Sequence, residues 1–241
     1  TKIHYVGSIF GLESKVFPIK DVWHTLLPIR GIQRDLSIKS LFRNSLLPLR
    51  IILSFYKTNI LINDFKPDIV IGTGGYASAL PLLVASKHKK GISIILQEQN
   101  SFPGVTTKWF SSKAKKICVA FKDSFMDLPE KIIHTGNPIR KDLMKGSKVK
   151  GLKYFQFVES NKTIFLFGGS QGSSYLNKIL SKIIKNFENA SIQVLWQTGD
   201  TEFLKYKKYI SKTIYVTPFI DNMADAYAIS DLIICRSGAL T

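Results

Sequence analysis

The chain is poor in the residues that build redox and metal centres. Its 241 residues include 2 cysteines and 4 histidines. Cys118 and Cys235 each sit alone in a short apolar run, without CxxC or ligand spacing. They read as core residues of a protein in a reducing compartment, and no disulfide framework is expected. His4, His24, His88 and His134 have no partner at helical spacing, so no metal site is expected. Spacing assembles no Ser-His-Asp set, and no Walker lysine follows a glycine turn, which removes the common hydrolase and P-loop readings. Neither a signal peptide nor an apolar run of transmembrane length is present, which points to the cytoplasm.

Acidic residues are also scarce. Asp and Glu number 17 against 34 Lys and Arg, a formal net charge of +17. Such an excess attracts nucleic acid, an anionic membrane surface or a phosphorylated substrate, or it only solvates the surface. The lysines are scattered, and neither an aromatic RNA-binding motif nor zinc-finger spacing accompanies them, so nucleic acid is not the expected partner.

What the chain does have is alternation. Strand-like runs at 3–6, 68–71, 92–96, 117–119, 132–134, 163–167, 192–196, 213–216 and 231–235 interleave with helical stretches at 49–65, 77–88, 104–114, 173–187, 201–211 and 222–229. This is the pattern of α/β domains with parallel sheets, whose ligands sit at the carboxyl ends of strands. The stretch around 141–162 is polar, carries Gly146 and Gly151, and lacks a strong strand. A linker is placed at 146–162, between domains 1–145 and 163–241.

Two strands run straight into glycine turns, Gly72-Thr73-Gly74-Gly75 and Gly168-Gly169-Ser170-Gln171-Gly172, each followed by helical spacing. A glycine turn at a helix N-terminus lets a phosphate approach unpaired N–H groups and the positive dipole end. Two of them, a domain's length apart, suggest two α/β domains facing a cleft that holds a phosphate-bearing molecule. Other strand ends carry polar groups. Gln97-Glu98-Gln99-Asn100 suits recognition of hydroxyls and amides, with Glu98 its one carboxylate and Ser101 an alternative helix cap. Thr135-Gly136-Asn137-Pro138-Ile139-Arg140 places a guanidinium after a rigid turn, suited to a diphosphate. In Pro218-Phe219-Ile220-Asp221-Asn222-Met223 a helix cap follows main-chain groups able to pair with a flat base. Residues 41–62 interleave apolar and basic side chains around Pro48. They are either a buried layer helix or an interfacial patch in which Leu46, Leu47, Ile51 and Phe55 enter lipid beside Arg43, Arg50 and Lys57.

Together, Gly72-Thr-Gly-Gly-Tyr-Ala-Ser78, Gln97-Glu-Gln-Asn100, Gly136-Asn-Pro-Ile-Arg140, Phe167-Gly-Gly-Ser-Gln-Gly172, Phe219-Ile-Asp-Asn-Met223 and Cys235-Arg-Ser-Gly-Ala-Leu-Thr241 resemble, in order, the MurG family of glycosyltransferases. The resemblance implies a GT-B fold of two Rossmann-like halves and no metal or other cofactor. It implies inverting transfer of N-acetylglucosamine from UDP-N-acetylglucosamine to the C4 hydroxyl of lipid I, the undecaprenyl-diphosphate-linked acceptor, to form lipid II of peptidoglycan. The enzyme would act as a peripheral protein on the cytoplasmic face of the plasma membrane. On this reading domain 1–145 is the acceptor and membrane side, and 163–241 binds the UDP sugar. Asn100, Arg140, Ser170, Ile220, Ala239, Leu240 and Thr241 become donor contacts, Arg140 and Asn100 reaching from the N-terminal half. Gly74, Gly75 and Tyr76 become acceptor contacts, Glu98 becomes the catalytic base, and 41–62 becomes the patch facing an anionic membrane.

The chain departs from the family pattern in four respects. The family's N-terminal glycine-rich loop ending in His, its ribose-binding Glu and a later Gln that contacts the sugar find no counterpart, and Gln97 stands where many members have His. The sequence is therefore expected to be truncated at both ends. A non-catalytic nucleotide-sugar- or membrane-binding remnant, or another GT-B enzyme such as a UDP-N-acetylglucosamine 2-epimerase, remains the alternative.

Overall fold

Among the described residues every strand pair is parallel, as the alternating pattern requires. The computed structural model describes residues 1–32, 37–125 and 127–239, with backbone only at 38–40. The chain divides into two units, Thr1–Asn137 and Pro138–Thr241.

The first unit opens with strand β1 (Tyr5–Ser8), helix α1 (Glu13–Ile19) and strand β2 (His24–Leu27), followed by helices α2 (Ile38–Ser45) and α3 (Leu47–Phe65). Strand β3 (Ile69–Gly72), helix α4 (Gly75–Lys87), strand β4 (Ser93–Glu98), helix α5 (Val105–Ser111) and strands β5 (Lys116–Val119) and β6 (Ile132–His134) complete it. The strands form two separate sheets, β1-β2 and β3-β4-β5-β6. Helix α4 is apolar all round, as a helix buried on several sides must be. Its Leu80 packs with Leu27 and Ile29 beside β1-β2, while Leu82, Val84 and Ala85 pack with Ile94, Leu96, Ile117 and Val119 of the larger sheet. On the other side of β3, Ile69 and Ile71 are 50% and 61% exposed.

Helix α3 is turned inside out. It buries only Ser54, Thr58 and Ile62, while Leu49, Ile51, Ile52, Leu53, Phe55, Tyr56 and Ile60 are exposed. The buried-helix alternative for residues 41–62 thus fails for most of their apolar side chains. Leu46 and Leu47, at the start of the helix, are partly buried.

The second unit holds helix α6 (Lys148–Phe155), strand β7 (Thr163–Phe167), helix α7 (Ser174–Asn189), strand β8 (Gln193–Gln197), helix α8 (Phe203–Tyr206), strand β9 (Ile214–Thr217), helix α9 (Met223–Ile229) and strand β10 (Leu232–Cys235). Its sheet runs β10-β7-β8-β9. β7 and β8 are buried at every position, so they read as continuous apolar runs. Phe155, Phe165, Phe167 and Ile229 fill one face; Leu166, Leu180, Ile184, Trp196 and Tyr206 fill the other.

The linker expected at 146–162 is not one, and the expected boundary at 145 falls instead after Asn137. Residues 148–155 form α6, which packs on α9. A Cβ at Gly146 would meet the Ala224 carbonyl, and one at Gly151 the Asp225 carbonyl and Ile229. The Ser147 N–H donates to the Asp225 carboxylate at 2.7 Å. These glycines serve close approach, not flexibility, which is why composition alone misplaced the boundary.

Candidate functional site

In the first unit the polar loops gather at the carboxyl ends of β3 and β4. The turn after β3 bends through Gly74 and Gly75 at φ of +83° and +75°, values an L-residue adopts only with strain. Ser78 Oγ donates to the Gly74 carbonyl at 2.7 Å, and Thr106 Oγ1 donates to the Gly75 carbonyl at 3.0 Å. Helix α5 thereby braces the turn. Tyr76 is half exposed, its ring so close to Gly31 that a Cβ there would strike it.

Glu98 ends β4 and is only 3% exposed. Its Oε1 accepts from the Asn100 N–H and from Asn100 Nδ2, both at 3.0 Å, and its Oε2 accepts from the Gly104 N–H at 3.0 Å. Burial pushes its pKa up, but the N–H groups of Gly104 and Asn100 more than offset this and hold the carboxyl below the ordinary glutamate value. The charged form is favoured by hydrogen bonds that it alone can accept. That geometry suits a clamp and opposes the base role expected for Glu98, because both oxygens are occupied and proton affinity is reduced. The loop it clamps presents an exposed Asn100. Nearby, Gln97 Nε2 donates to Asn137 Oδ1 at 3.3 Å, and Asn137 Nδ2 donates to the Gln99 carbonyl at 3.1 Å. A concavity lined by Lys66, Asp68, His88, Lys90 and Ile92 lies at the opposite, amino-terminal ends of β3 and β4, away from these loops.

In the second unit the turn after β7 uses Gly169 and Gly172 at φ of +84° and +76°. It leads into α7, whose first turn Ser173 caps by accepting from the Leu176 N–H. The turn packs backbone on backbone against Thr198-Gly199 after β8: a Cβ on Gly172 would meet the Thr198 carbonyl, and one on Gly199 the Gln171 carbonyl. Ser170 is exposed at the tip. Ile220 is buried, and its N–H donates to Gln197 Oε1 at 2.9 Å. Gln197 Nε2 in turn donates to the Gly169 carbonyl at 3.0 Å. Asn177 of α7 is fully buried; its Nδ2 donates to the Thr198 carbonyl and to Glu202, and its Oδ1 accepts from Trp196 Nε1.

The structure thus brings Gly74, Gly75, Glu98 and Asn100 together in the first unit, and Ser170 and Ile220 together in the second. Arg140, expected on the N-terminal half, lies in the second unit instead. It is exposed, with Asp142 3.8 Å away. Ala239 is partly buried, while Leu240 and Thr241 lie outside the described residues. Sequence reasoning missed Gln197 and Asn177. The first had a signal, since Gln197-Thr198-Gly199 follows an apolar strand just as Gln97–Asn100 does; Asn177 had none. Among the described residues, no group of three or more His, Cys, Asp or Glu is arranged to hold a metal ion.

Comparison with known proteins agrees with this architecture. The sequence model of the glycosyltransferase family 28 N-terminal domain matches residues 1–119, and that of the C-terminal domain matches residues 163–241. A relative from Cytophaga hutchinsonii, named UDP-N-acetylglucosamine--N-acetylmuramyl-(pentapeptide) pyrophosphoryl-undecaprenol N-acetylglucosamine transferase, is 40% identical over all of this chain and 64% of its own length. A Bacteroides thetaiotaomicron relative of the same name is 38% identical over 99% of this chain and 65% of its own. The chain therefore spans about two thirds of the length of these relatives. The crystal structure of Acinetobacter baumannii MurG matches 96% of the chain and 62% of its own, with a TM-score of 0.61 and 26% identity. The UDP-GlcNAc 2-epimerase of Methanocaldococcus jannaschii, at 12% identity and a TM-score of 0.60, shares the fold alone. Parallel α/β halves of GT-B type, glycine turns at their strand ends and both family matches agree: this chain belongs to glycosyltransferase family 28.

Proposed function

We propose that this chain carries the donor and acceptor loops of an inverting N-acetylglucosaminyltransferase that uses UDP-N-acetylglucosamine and an undecaprenyl-diphosphate-linked muramyl acceptor, lipid I. The observation that carries this reading is the second-unit turn, where Ser170 stands exposed between Gly169 and Gly172 at the start of a 16-residue helix. Its N–H groups, the helix dipole and Arg140 suit the diphosphate of a leaving UDP. The acceptor's C4 hydroxyl oxygen attacks the anomeric carbon and releases its proton to water, while the bond from that carbon to the UDP oxygen breaks and its electron pair leaves with UDP. Amides preorganised at the diphosphate stabilise that developing charge. Ala239, Leu240 and Thr241 are donor contacts by the family resemblance. Gly74, Gly75 and Tyr76 meet the acceptor, and Glu98 holds the Asn100 loop.

The names of the relatives, at 35–40% identity, support the choice of substrates. No helix of the described residues is long and apolar enough to cross a membrane. The outward apolar side of α3 around Ile51 and Phe55, with the partly buried Leu46 and Leu47 at its start and Arg43 of α2, Arg50 and Lys57 nearby in sequence, suits peripheral attachment to an anionic cytoplasmic leaflet. The test is transfer of labelled N-acetylglucosamine from its UDP sugar to a lipid I analogue. Labelled lipid II is the expected product. Conversion of the free UDP sugar to its 2-epimer would support the epimerase reading, and nucleotide binding without turnover would support the remnant.

A further inference from the structure

We infer that Arg30 and Arg50, stacked on the one ring of Phe10, form a clamp in the first unit that holds a prenyl-linked diphosphate in preference to a monophosphate. The inference rests on the acceptor reading above. The Cζ atoms of Arg30 and Arg50 each lie 5.0 Å from the Phe10 ring centroid, so at most twice that distance separates them. Phe10 follows β1, Arg30 follows β2, and Arg50 stands in the first turn of α3. Hydrogen bonds fix the two loops against each other. The Ile9 N–H donates to the Leu27 carbonyl at 3.0 Å, Ser8 Oγ donates to the Ile29 carbonyl at 2.6 Å, and the Phe10 N–H donates to Ser8 Oγ at 3.0 Å.

Among the described residues neither guanidinium has a carboxylate within ion-pair distance; the nearby Glu13 carboxylate lies against Gly11 instead. Like charges held together without a counter-charge repel, and the face of one ring offsets only part of that. An anion shared by the pair removes the rest. Each planar guanidinium takes two phosphate oxygens through parallel N–H groups, so two of them suit the two phosphates of a diphosphate. Their position narrows the ligand further. A prenyl-linked diphosphate joins an apolar chain to a sugar, so its charges belong where a lipid-facing surface meets a sugar site. Arg50 is flanked on α3 by the exposed Leu49 and Ile51. Arg30 directly precedes Gly31, which lies against the Tyr76 ring at the acceptor turn. The clamp thus has one arginine on the lipid-facing helix and the other on the loop that meets that turn.

The experiment is calorimetric titration of the 241-residue chain and its variants with farnesyl diphosphate and farnesyl monophosphate, short enough to be used without a membrane. The unsubstituted chain is expected to bind the diphosphate about tenfold or more tightly than the monophosphate. Arg30→Gln and Arg50→Gln should each weaken the diphosphate about tenfold and bring the two affinities within about threefold of each other. Arg30→Lys keeps the charge but loses the planar fork, so it should retain part of the preference, and it serves as the test if a Gln variant does not fold. A merely structural arginine would lower both affinities alike. An unchanged preference in either Gln variant, or no preference in the unsubstituted chain, therefore overturns the inference and leaves the acceptor reading standing. So does an Arg30→Gln variant that loses flotation with phosphatidylglycerol vesicles yet keeps its affinity for farnesyl diphosphate, since the pair would then serve lipid headgroups. Binding of neither farnesyl ligand by the unsubstituted chain overturns the acceptor reading and this inference with it.

Discussion

Glu98 and Asn177 show that polar residues at strand ends serve the loops before they serve a ligand. The Glu98 carboxylate is held by three donors from Asn100 and Gly104, and its pKa lies below the ordinary value. A depressed carboxyl pKa stabilises the fold above the unfolded value, and that contribution is lost as pH falls through the folded one. Chemical denaturation should therefore show Glu98→Gln less stable than the unsubstituted chain at pH 7, with the gap closing as pH drops below about 4. If Glu98 were the base, the variant would instead lose the acid limb of the transfer rate; a clamp leaves the shape of that limb unchanged. Asn177 joins α7 to Thr198, Glu202 and Trp196 in the interior. Asn177→Ala leaves the indole N–H unpaired and should cost about 2–3 kcal/mol in denaturant titrations. At the tip, Ser170→Ala removes an exposed hydroxyl, so UDP affinity should fall while the melting temperature stays within a degree or two.

At the scale of elements, the glycine turns separate steric demand from conformational demand. Gly75 has open space where a Cβ would be built and only its positive φ to lose, whereas Gly172 faces the Thr198 carbonyl as well. Gly75→Ala should cost about 1–2 kcal/mol. Gly172→Ala should cost more, and should disturb UDP binding as the turn is pushed off the β8 loop. Both turns and most strands were legible in the sequence because an apolar run ending in glycine has few other meanings. The β2 strand was not, since His24-Thr25-Leu26-Leu27 is short and its pairing partner is only four residues long. Helix α6 was lost because Gly146 and Gly151 mimic a flexible linker when their close neighbours Ala224 and Asp225 cannot be seen. The exposed apolar side of α3 was legible only as one of two alternatives, because composition does not tell which side of a helix faces out. Ile51→Glu with Phe55→Glu should leave thermal stability nearly unchanged and weaken co-flotation with anionic vesicles severalfold.

For the molecule as a whole, a net charge of +17 predicts that vesicle binding falls with ionic strength, because exposed charges are screened beyond roughly 10 Å at 0.1 M salt. The apolar residues of α3 predict a remainder that salt does not remove. Binding measured from 0.05 to 0.5 M salt should therefore decline to a plateau; complete loss would assign attachment to charge alone.

The division of the first unit's strands between two sheets has a further effect. Among the described residues β1 and β2 bond only to each other, so side-chain burial around Leu27, Ile29 and Leu80 carries much of their attachment. A two-stranded ribbon of this kind is marginal by itself. Its amides should exchange with deuterated solvent faster than those of β4 and β5, as a separately opening unit. Tyr76 rests against Gly31, just beyond that ribbon. A ligand that pins Tyr76 should then slow exchange in β1 and β2, residues it does not touch, and so report its own binding at a distance.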